Sequence, residues 1–300
     1  MQAITVRDRK ALDLTLTDLP HPHAAENDVI VRVHAAGFTR GELEWPGTWT
    51  DRAGNDRTPS VPGHEVSGVV AELGYGTTGL TVGQRVFGLA DWTRNGTLAE
   101  YVAVEARNLA PLPTGIDHVT AAALPISGLT AWQALFDHAH LEAGQTVLIH
   151  GVGGAVGSVA AQLALEVGAH VIGTGRSSGQ AFADELGVHE FVALEGENLE
   201  NVGEVDVVLD VLGGDIRDRS TALVRPGGTL VTIPDPPTVH PRNGRAIFFV
   251  VEPNRAQLTE LATRLHNGTL RPLVTSVRPL TEAATAFTTP GRTIIKLTND

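Results

Sequence analysis

Glycine spacing between residues 146 and 178, TVLIHGVGGAVGSVAAQLALEVGAHVIGTGRSS, suits phosphate binding. The glycines of the turn are Gly151, Gly153, Gly154 and Gly157. A G-x-G-x-x-G pattern would need glycine at Val156, but Gly151, Gly154 and Gly157 recur every three residues. Glycine lets a phosphate approach the free N–H groups and the positive dipole end of a helix N-terminus. The alternative is a tight strand–helix turn without a ligand. A strand before it, a helix after it and a second strand at the right distance favour a dinucleotide site, which includes Ala155 and Val156.

The end of the second strand indicates which dinucleotide binds. An acid there would accept a hydrogen bond from the ribose 2′-hydroxyl of NAD and repel a 2′-phosphate. No acid lies between Thr174 and Gln180, whereas Arg176 and Ser177 offer donors to a phosphate. The sequence thus predicts NADP(H). The alternative for Arg176 is a solvated loop arginine.

Composition excludes several function classes. The 300 residues carry a net charge of −12 without a basic run, which disfavours nucleic acid as a partner. There is no cysteine, so disulfides, thiol nucleophiles and cysteine-bound zinc are excluded. The N-terminus lacks an apolar signal core and no stretch resembles a membrane helix. We therefore expect a cytoplasmic protein with no membrane partner.

The elements that position these residues change in type along the chain. Short apolar runs separated by Gly, Pro, Asn and Asp predict a compact β domain over the first 115 residues. From residue 116, helical segments alternate with Val- and Ile-rich strands, which predicts a doubly wound parallel sheet and an α/β fold. The tail from 272 ends in TIIKLT, a strand that we expect to return to the first domain.

Several stretches together resemble one family. They are VPGHEVSGVV, VGQRVFGLA, GTLAEYVAV, LPISGLTAWQAL, IHGVGGAVGSVAAQLA, VDVVLDVLGG and RPGGTLVTI. This set is similar to the medium-chain dehydrogenase/reductases, in their zinc-independent, quinone oxidoreductase-like branch. The resemblance implies a GroES-like catalytic domain (1–115 with 272–300), a Rossmann NADP(H)-binding domain (116–271) and an interdomain cleft for nicotinamide and substrate. It also implies a homodimer paired through the nucleotide-binding domains.

The resemblance bears on zinc residue by residue. The family's zinc enzymes take a cysteine where this chain has Thr39, a histidine at His64 and a cysteine near Ile126. One ligand of three does not hold a tetrahedral catalytic zinc, so no metal is expected. Thr39 is the best donor candidate beside the nicotinamide, and His64 is a second catalytic candidate. The alternatives are ordinary packing for Thr39 and a structural, hydrogen-bonded role for His64.

The resemblance also implies the remaining site residues. Thr130 matches a position that contacts the nicotinamide, with ordinary helix packing as its alternative, and the cofactor site is completed by Thr174, Asp210, Ile233 and Phe249. Phe249 has the alternative of forming a dimer edge. Aromatic residues of loops expected beside the cleft predict contacts with a flat substrate: Phe38, Trp45, Trp49 and Trp92. The alternative is that the tryptophans anchor the core of the β domain.

The predicted function is a zinc-free, NADPH-dependent reductase that transfers hydride to a quinone or an α,β-unsaturated carbonyl. One alternative is a tailoring reductase acting on a polyketide-type intermediate of secondary metabolism. Another is a non-catalytic NADPH-sensing or RNA-binding protein of the same fold, although the acidic charge argues against RNA. Neither Tyr75 nor Tyr101 is assigned as proton donor.

Overall fold

The fold was analysed in a computed structural model that describes residues 1–9, 13–196 and 199–298. The chain forms two compact units. The first contains Met1–Ile126, Pro253–Gly268 and Val274–Asp300, and the second contains Ser127–Glu252 and Thr269–Leu273.

The strands, in chain order, are β1 (Gln2–Val6), β2 (Leu14–Asp18), β3 (Asp28–Gly37), β4 (Glu65–Leu73), β5 (Arg85–Leu89), β6 (Tyr101–Glu105), β7 (Leu109–Pro111), β8 (Thr146–His150), β9 (His170–Gly175), β10 (Glu190–Ala193), β11 (Val205–Asp210), β12 (Val224–Thr232), β13 (Arg245–Phe248), β14 (Ser276–Pro279) and β15 (Thr293–Lys296). The α-helices are α1 (Pro46–Trp49), α2 (His118–Ala122), α3 (Pro125–Trp132), α4 (Ala155–Glu166), α5 (Gln180–Leu186), α6 (Gly214–Ser220), α7 (Arg255–Asn267) and α8 (Ala283–Thr288). A π-helix spans Gln133–His138, directly after α3.

The first unit is built mainly on antiparallel strands, with β14 parallel to β15. Its main sheet has the order β14-β15-β3-β4-β5-β7, with β6 also paired to β3, and β1 and β2 form a separate two-stranded sheet. Strand β15 runs antiparallel to β3, with Ile295 opposite Ala36. The predicted return of the C-terminal strand to the first domain is thereby confirmed.

Two segments group differently from the predicted domain limits. Residues 116–126 and 253–268 belong to the β unit, although the sequence places them in the Rossmann domain. Helix α2 packs Ala122 and Ala123 into a small core with Ala35 and Ile294. The guanidinium of Arg255, at the start of α7, donates to the carbonyl of Ala106. These contacts tie both segments to the β unit.

The second unit contains the predicted doubly wound sheet. Its six strands are ordered β10-β9-β8-β11-β12-β13, and every adjacent pair is parallel. The strand order reverses between β8 and β11, which is where sheets of this type bind ligands, beyond the carboxyl ends of the strands. Val147, Leu148 and Ile149 of β8 are all buried, as expected for a strand covered on both faces. Within the described residues, no helix combines the length and apolar character needed to cross a membrane.

Candidate active site

The glycine turn joins β8 to α4 and leaves backbone donors free. Gly151 has a φ of 67°, and its carbonyl accepts the N–H of Gly154 at 2.8 Å. Gly154 is the N-cap of α4, and its carbonyl accepts the N–H of Ser158 at 2.9 Å. The first N–H groups of a helix have no acceptor within the helix. Those of the residues from 155 to 157 are therefore free for an anion at the positive end of α4.

Gly157 lies where α4 approaches this turn most closely. A Cβ atom on Gly157 would stand 2.2 Å from the carbonyl oxygen of Gly151 and 2.8 Å from the Cα atom of Val152. No side chain fits at these distances, so glycine is required for the close packing of helix and turn. Gly153 is different, because its nearest neighbour would be the Phe182 ring at 4.0 Å.

Arg176 and Ser177 follow the carboxyl end of β9, and both are exposed. No hydrogen bond ties the Arg176 side chain to a neighbour among the described residues. The backbone N–H of Ser177 donates to Oε2 of Glu195 at 3.0 Å. Glu195 follows β10, the next strand of the sheet, and was not among the predicted site residues. An acid is thus present beside the end of β9, although it comes from a different strand.

Thr174 does not offer its side chain to a ligand. It is fully buried, and its hydroxyl lies 2.9 Å from Nδ1 of His150. Nε2 of His150 lies 2.7 Å from Oγ of Ser220, whose own hydrogen goes to the carbonyl of Ile216 at 2.7 Å. His150 therefore donates from Nε2, and the Thr174 hydroxyl donates to Nδ1. Burial lowers the pKa of His150 to about 4, with Asp210 opposing the shift, so this ring is neutral. The Thr174 side chain is therefore committed to His150, and the predicted contact of this residue with the cofactor stays a prediction.

Asp210 ends β11 and is also fully buried. Its Oδ1 accepts the N–H groups of Leu212 and Gly213, each at 3.0 Å, and its Oδ2 accepts the hydroxyl of Thr232 at 2.7 Å. The carboxylate is thereby committed to shaping the turn after β11. Its predicted place in the cofactor site stays a prediction.

Three other predicted cofactor residues of this unit differ in burial: two are half-buried and one is buried. Ile233 is half-buried just beyond the end of β12, and its N–H donates to the carbonyl of Asp210 at 3.2 Å. Phe249 follows β13, half-buried, with its ring centroid 4.5 Å from that of His138. Thr130 is buried on α3. Because parallel strands end at one edge of the sheet, the glycine turn, Arg176, Ile233 and Phe249 all lie along that edge.

In the β unit, three rings form a cluster that contains His64. The imidazole centroid lies 5.0 Å from the Trp92 ring, which it meets edge-on, and 5.9 Å from the Trp45 ring, which is nearly parallel to it. The two tryptophan rings are 5.1 Å apart in an edge-to-face arrangement. Trp45 and Trp92 are half-buried, so each keeps accessible aromatic surface. Both predicted substrate contacts therefore stand beside a predicted catalytic residue.

Phe38 and Trp49 do not fit the predicted contact with substrate. Phe38 is 4% exposed and stacks on Phe287 with 4.2 Å between ring centroids. Trp49 is 8% exposed, and its Nε1 donates to the carbonyl of Leu43 at 2.7 Å. Both belong to the main core of the β unit. For Trp49 this burial favours the alternative of a core anchor, and Phe38 packs in the same core.

His64 is the buried polar group of this cluster. The side chain is 1% exposed, and neither ring nitrogen has a hydrogen-bond partner among the described residues. Burial, reinforced by the nearby Arg57 guanidinium, lowers the pKa of His64 to about 3, and Asp91 opposes the shift. The ring is neutral, with one donor and one acceptor. An unpaired buried group is costly, so these nitrogens suit a polar atom of a bound molecule or a water.

Arg57 contacts the backbone of the same cluster. Its guanidinium donates to the carbonyls of Gly47 and Trp92, which ties two loops of the cluster together. On its other side Arg57 lines a cavity of about 580 Å³ in the β unit. Burial lowers the pKa of Arg57, with Asp91 as the largest opposing charge.

A buried carboxyl group, that of Glu42, holds Thr39, and the sequence reasoning missed it. Thr39 is half-exposed, and its backbone N–H donates to Oε2 of the fully buried Glu42 at 3.0 Å. The other carboxyl oxygen of Glu42 accepts the N–H of Gly63, adjacent to His64. Burial raises the pKa of Glu42 to about 8, against the effect of these two hydrogen bonds. The sequence did contain a signal for this role, because the acidic residue Glu42 follows Thr39 by only three positions.

A second buried carboxylate, Glu65, forms an ion pair with Arg292. Glu65 also accepts the N–H of Ile126 at 2.9 Å, and Arg292 donates to the carbonyl of Phe38 at 2.8 Å. The pair joins β4, the residue before β15 and the segment after α2. The GHE motif contained Glu65, but only its histidine was considered from the sequence.

The side chains around His64 lack the donor atoms that a catalytic zinc ion needs. Across residues 1–9, 13–196 and 199–298, no group of three or more His, Cys, Asp or Glu side chains is arranged to hold a metal ion. Thr39 has no thiol or imidazole to offer, Ile126 is apolar, and the nearest rings to His64 are indoles. These residues do not fit a zinc site.

Comparisons with known proteins agree with this architecture. Residues 25–114 match the family described as alcohol dehydrogenase GroES-like domain, and residues 186–289 match the family described as zinc-binding dehydrogenase. The chain is 30% identical over 294 residues to quinone oxidoreductase of Sus scrofa, covering 90% of this chain and 87% of that protein. It is 38% identical over 228 residues to the spectinabilin polyketide synthase system protein NorB of Streptomyces orinoci, covering 73% of this chain but only 10% of that much longer protein.

The structure is also similar to a solved quinone oxidoreductase. Against the quinone oxidoreductase from Coxiella burnetii, the TM-score is 0.90 at 28% sequence identity, with 99% of each chain covered. The GroES-like β unit, the six-stranded parallel sheet and these similarities lead to one assignment. The chain belongs to the quinone oxidoreductase-like branch of the medium-chain dehydrogenase/reductase superfamily.

Proposed function

We propose that this protein is an NADPH-dependent reductase of quinones or α,β-unsaturated carbonyl compounds that works without zinc. The observation that carries the proposal is the Gly151–Gly157 turn, whose free N–H groups are available to bind an anion at the switch point of the sheet. When bound, the reduced nicotinamide supplies a hydride. The protein's own residues have to hold the dinucleotide, orient the acceptor and meet the charge that develops on it.

The turn binds the pyrophosphate through the N–H groups of Ala155, Val156 and Gly157. Arg176 and Ser177, exposed after β9, lie where the adenosine ribose binds in sheets of this type, and the Arg176 guanidinium favours a 2′-phosphate there. Ile233 and Phe249 follow the carboxyl ends of β12 and β13, and we assign them, with Thr130, to the nicotinamide end. This set supports NADPH as the preferred cofactor.

The accessible faces of Trp45 and Trp92 offer a surface for a flat acceptor. When hydride adds to a conjugated carbonyl, negative charge develops on the carbonyl oxygen and has to be met by preorganised donors. Thr39 has a partly accessible hydroxyl for this purpose, and the buried imidazole of His64 has an unpaired N–H that a bridging water can extend to the carbonyl oxygen. Glu42 fixes the backbone on both sides of this pair by binding Thr39 and Gly63.

The test is NADPH oxidation by the purified full-length chain with 1,4-benzoquinone, 9,10-phenanthrenequinone and a panel of enones. Two results together would support the proposal. Turnover should survive treatment with a chelator, and it should be lost in a Gly157→Val variant that still folds. Tight NADPH binding without turnover of any acceptor would contradict it. Turnover restricted to simple alcohols, with NADP⁺, would also contradict it.

A tailoring reductase of a polyketide-type intermediate is a second candidate. The 38% identity to a segment of a polyketide synthase protein favours it. An enoyl thioester such as crotonyl-N-acetylcysteamine distinguishes the two candidates when it is compared with the quinones in the same assay. Preference for the thioester by kcat/KM would select the second candidate.

We also propose that the protein forms a homodimer through the outer edge of β13. Strand β13 pairs only with β12 among the described strands, and Phe248 and Val250 beside it are 36% and 61% exposed. An open edge with exposed apolar side chains favours pairing with a second strand. Light scattering on the native protein and on Val250→Lys tests this, since the variant should be a monomer. Cytoplasmic residence stays a prediction.

A further inference from the structure

The loop after β10 brings a carboxylate to the end of β9. Strands β9 and β10 are parallel neighbours, and the N–H of Leu194 donates to the carbonyl of Gly175 at 2.9 Å. This bond holds the loop so that Oε2 of Glu195 accepts the N–H of Ser177 at 3.0 Å. Glu195 and Ser177 are both exposed. Arg176, also exposed, is the residue between the end of β9 and Ser177.

This position has two opposite consequences for a dinucleotide. A carboxylate there can accept the hydrogen of a ribose 2′-hydroxyl, as an acid at the end of the second strand does in sheets that bind NAD. The same carboxylate repels a 2′-phosphate and occupies a backbone N–H that a phosphate oxygen would otherwise use. Arg176 acts in the other direction, because its guanidinium attracts a phosphate.

We propose that Glu195 sets the choice between NADH and NADPH: it accepts the 2′-hydroxyl of NADH and has to leave the Ser177 N–H before the 2′-phosphate of NADPH binds. The inference rests on the proposed dinucleotide site. The cofactor preference then depends on two opposing side chains, Arg176 and Glu195, and the chain binds both cofactors. Its selectivity for NADPH over NADH is lower than it would be with Arg176 and no acid at position 195.

Electrostatics sets the size of the effect. Glu195 is exposed, so its repulsion of a phosphate is weakened by water and by salt. Glu195→Gln keeps the shape and an acceptor oxygen for Ser177 but removes the charge. We expect the ratio of the Kd for NADH to the Kd for NADPH to rise about tenfold at low ionic strength. The gain should shrink towards about twofold in 0.5 M salt, because the Debye length falls below the size of the site.

The experiment measures binding of NADPH and NADH by nicotinamide fluorescence, and of 2′,5′-ADP and 5′-AMP by calorimetry, on the full-length chain. Glu190→Gln is the matched control, since Glu190 is an exposed acid at the start of β10, the strand that precedes Glu195, and pairs with His170 at 2.9 Å. The control should leave the ratio unchanged. A rise of the ratio in Glu195→Gln that depends on salt supports the inference, because loss of a merely structural contact would weaken both cofactors alike.

Other outcomes overturn the inference and separate it from the proposed function. An unchanged ratio in Glu195→Gln, with quinone turnover intact, overturns the role of Glu195 alone. A shifted ratio in a protein that reduces no acceptor leaves the inference standing and contradicts the reductase. Failure of the native chain to bind either dinucleotide or either adenosine phosphate overturns both.

Discussion

The carboxyl group of Glu42 accepts the backbone N–H of Thr39 at 3.0 Å, while the N–H of Glu42 donates to the Thr39 carbonyl at 2.9 Å. This reciprocal pair closes the turn after β3, and the second carboxyl oxygen reaches the N–H of Gly63. A single buried acid thus fixes the backbone beside both catalytic candidates. Its energetic cost depends on pH, because burial opposes its ionisation.

The difference in the free energy of unfolding between the native protein and Glu42→Gln should therefore depend on pH. The pKa of Glu42 rises from 4.5 to about 8 on folding, so the unfolded chain releases this proton first as the pH rises. The contribution of Glu42 is complete below pH 4.5 and is lost as the pH rises through 8. Glutamine does not titrate, but its amide cannot accept both backbone N–H groups. The variant should be roughly 1–3 kcal/mol less stable at pH 5, with the gap narrowing by pH 9.

Urea denaturation at pH 5, 7 and 9 measures this gap. Glu44→Gln is the control, because Glu44 is the exposed acid of the same turn and should show no such trend. A gap that stays constant from pH 5 to pH 9 would show that Glu42 does not exchange a proton in this range.

Gly157→Ala should lower both stability and dinucleotide affinity. The new Cβ would lie 2.2 Å from the Gly151 carbonyl oxygen, so α4 or the turn has to move. Overpacking of this kind costs about 1–3 kcal/mol, and displaced N–H groups bind the pyrophosphate less well. Gly153→Ala is the matched control, since its nearest atom would be 4.0 Å away. Thermal unfolding and NADPH titration of both variants test this, and equal behaviour would remove Gly157 from the phosphate turn.

Arg176→Gln should weaken NADPH binding more than NADH binding. Loss of a guanidinium that contacts a phosphate removes a charge-assisted hydrogen bond, and we expect about a tenfold increase in the Kd for NADPH at low salt. The Kd for NADH should change by less than about twofold, within the range typical of exposed charges. Arg242→Gln, an exposed arginine of the same unit, serves as control. Equal weakening of both cofactors would contradict the assignment of Arg176 to the 2′-phosphate.

The sequence predicts the fold well because its signals are local and repeated. Alternating Val- and Ile-rich strands and helices predict the parallel sheet, and TIIKLT predicts β15. The site was harder to predict because burial and hydrogen bonding depend on the fold. Thr174 and Asp210 have suitable residue types but spend their side chains on His150 and on a turn. Glu195 approaches Ser177 only through the pairing of β9 with β10, which no spacing along the chain reveals.

Trp92→Ala should impair reduction of polycyclic acceptors more than of small ones. The Trp92 ring stands edge-to-face against Trp45 and presents accessible surface, whereas its contact with Arg57 uses only the backbone carbonyl. An aromatic contact contributes about 0.5–1.5 kcal/mol beyond its buried area, so the KM for 9,10-phenanthrenequinone should rise about tenfold. The KM for 1,4-benzoquinone should rise less, and Trp92→Phe should restore most of the difference. An equal change for both quinones would contradict a role in substrate choice.

His64 provides a test in which activity and stability respond to different properties of one ring. Its pKa falls from 6.5 to about 3 on folding, so the ring stays neutral at every pH where the enzyme is assayed. The unfolded chain binds this proton below pH 6.5 and the folded chain does not, so stability is lost as the pH falls from 6.5 towards 3. His64→Phe should remove that part of the loss, as measured by denaturation between pH 4 and pH 8.

Activity should respond to the lost donor in the same variant. Removing one hydrogen-bond donor from a developing oxyanion typically costs about 10²-fold in kcat, so we expect a loss of that order for His64→Phe. His64→Gln keeps an N–H donor and should recover part of it. Because the ring does not titrate near pH 6.5, the ratio of native to variant kcat/KM should stay flat between pH 5.5 and 8. A change of that ratio with pH would mean that His64 works as an acid or base. Full activity in His64→Phe would mean that Thr39 alone stabilises the negative charge on the carbonyl oxygen.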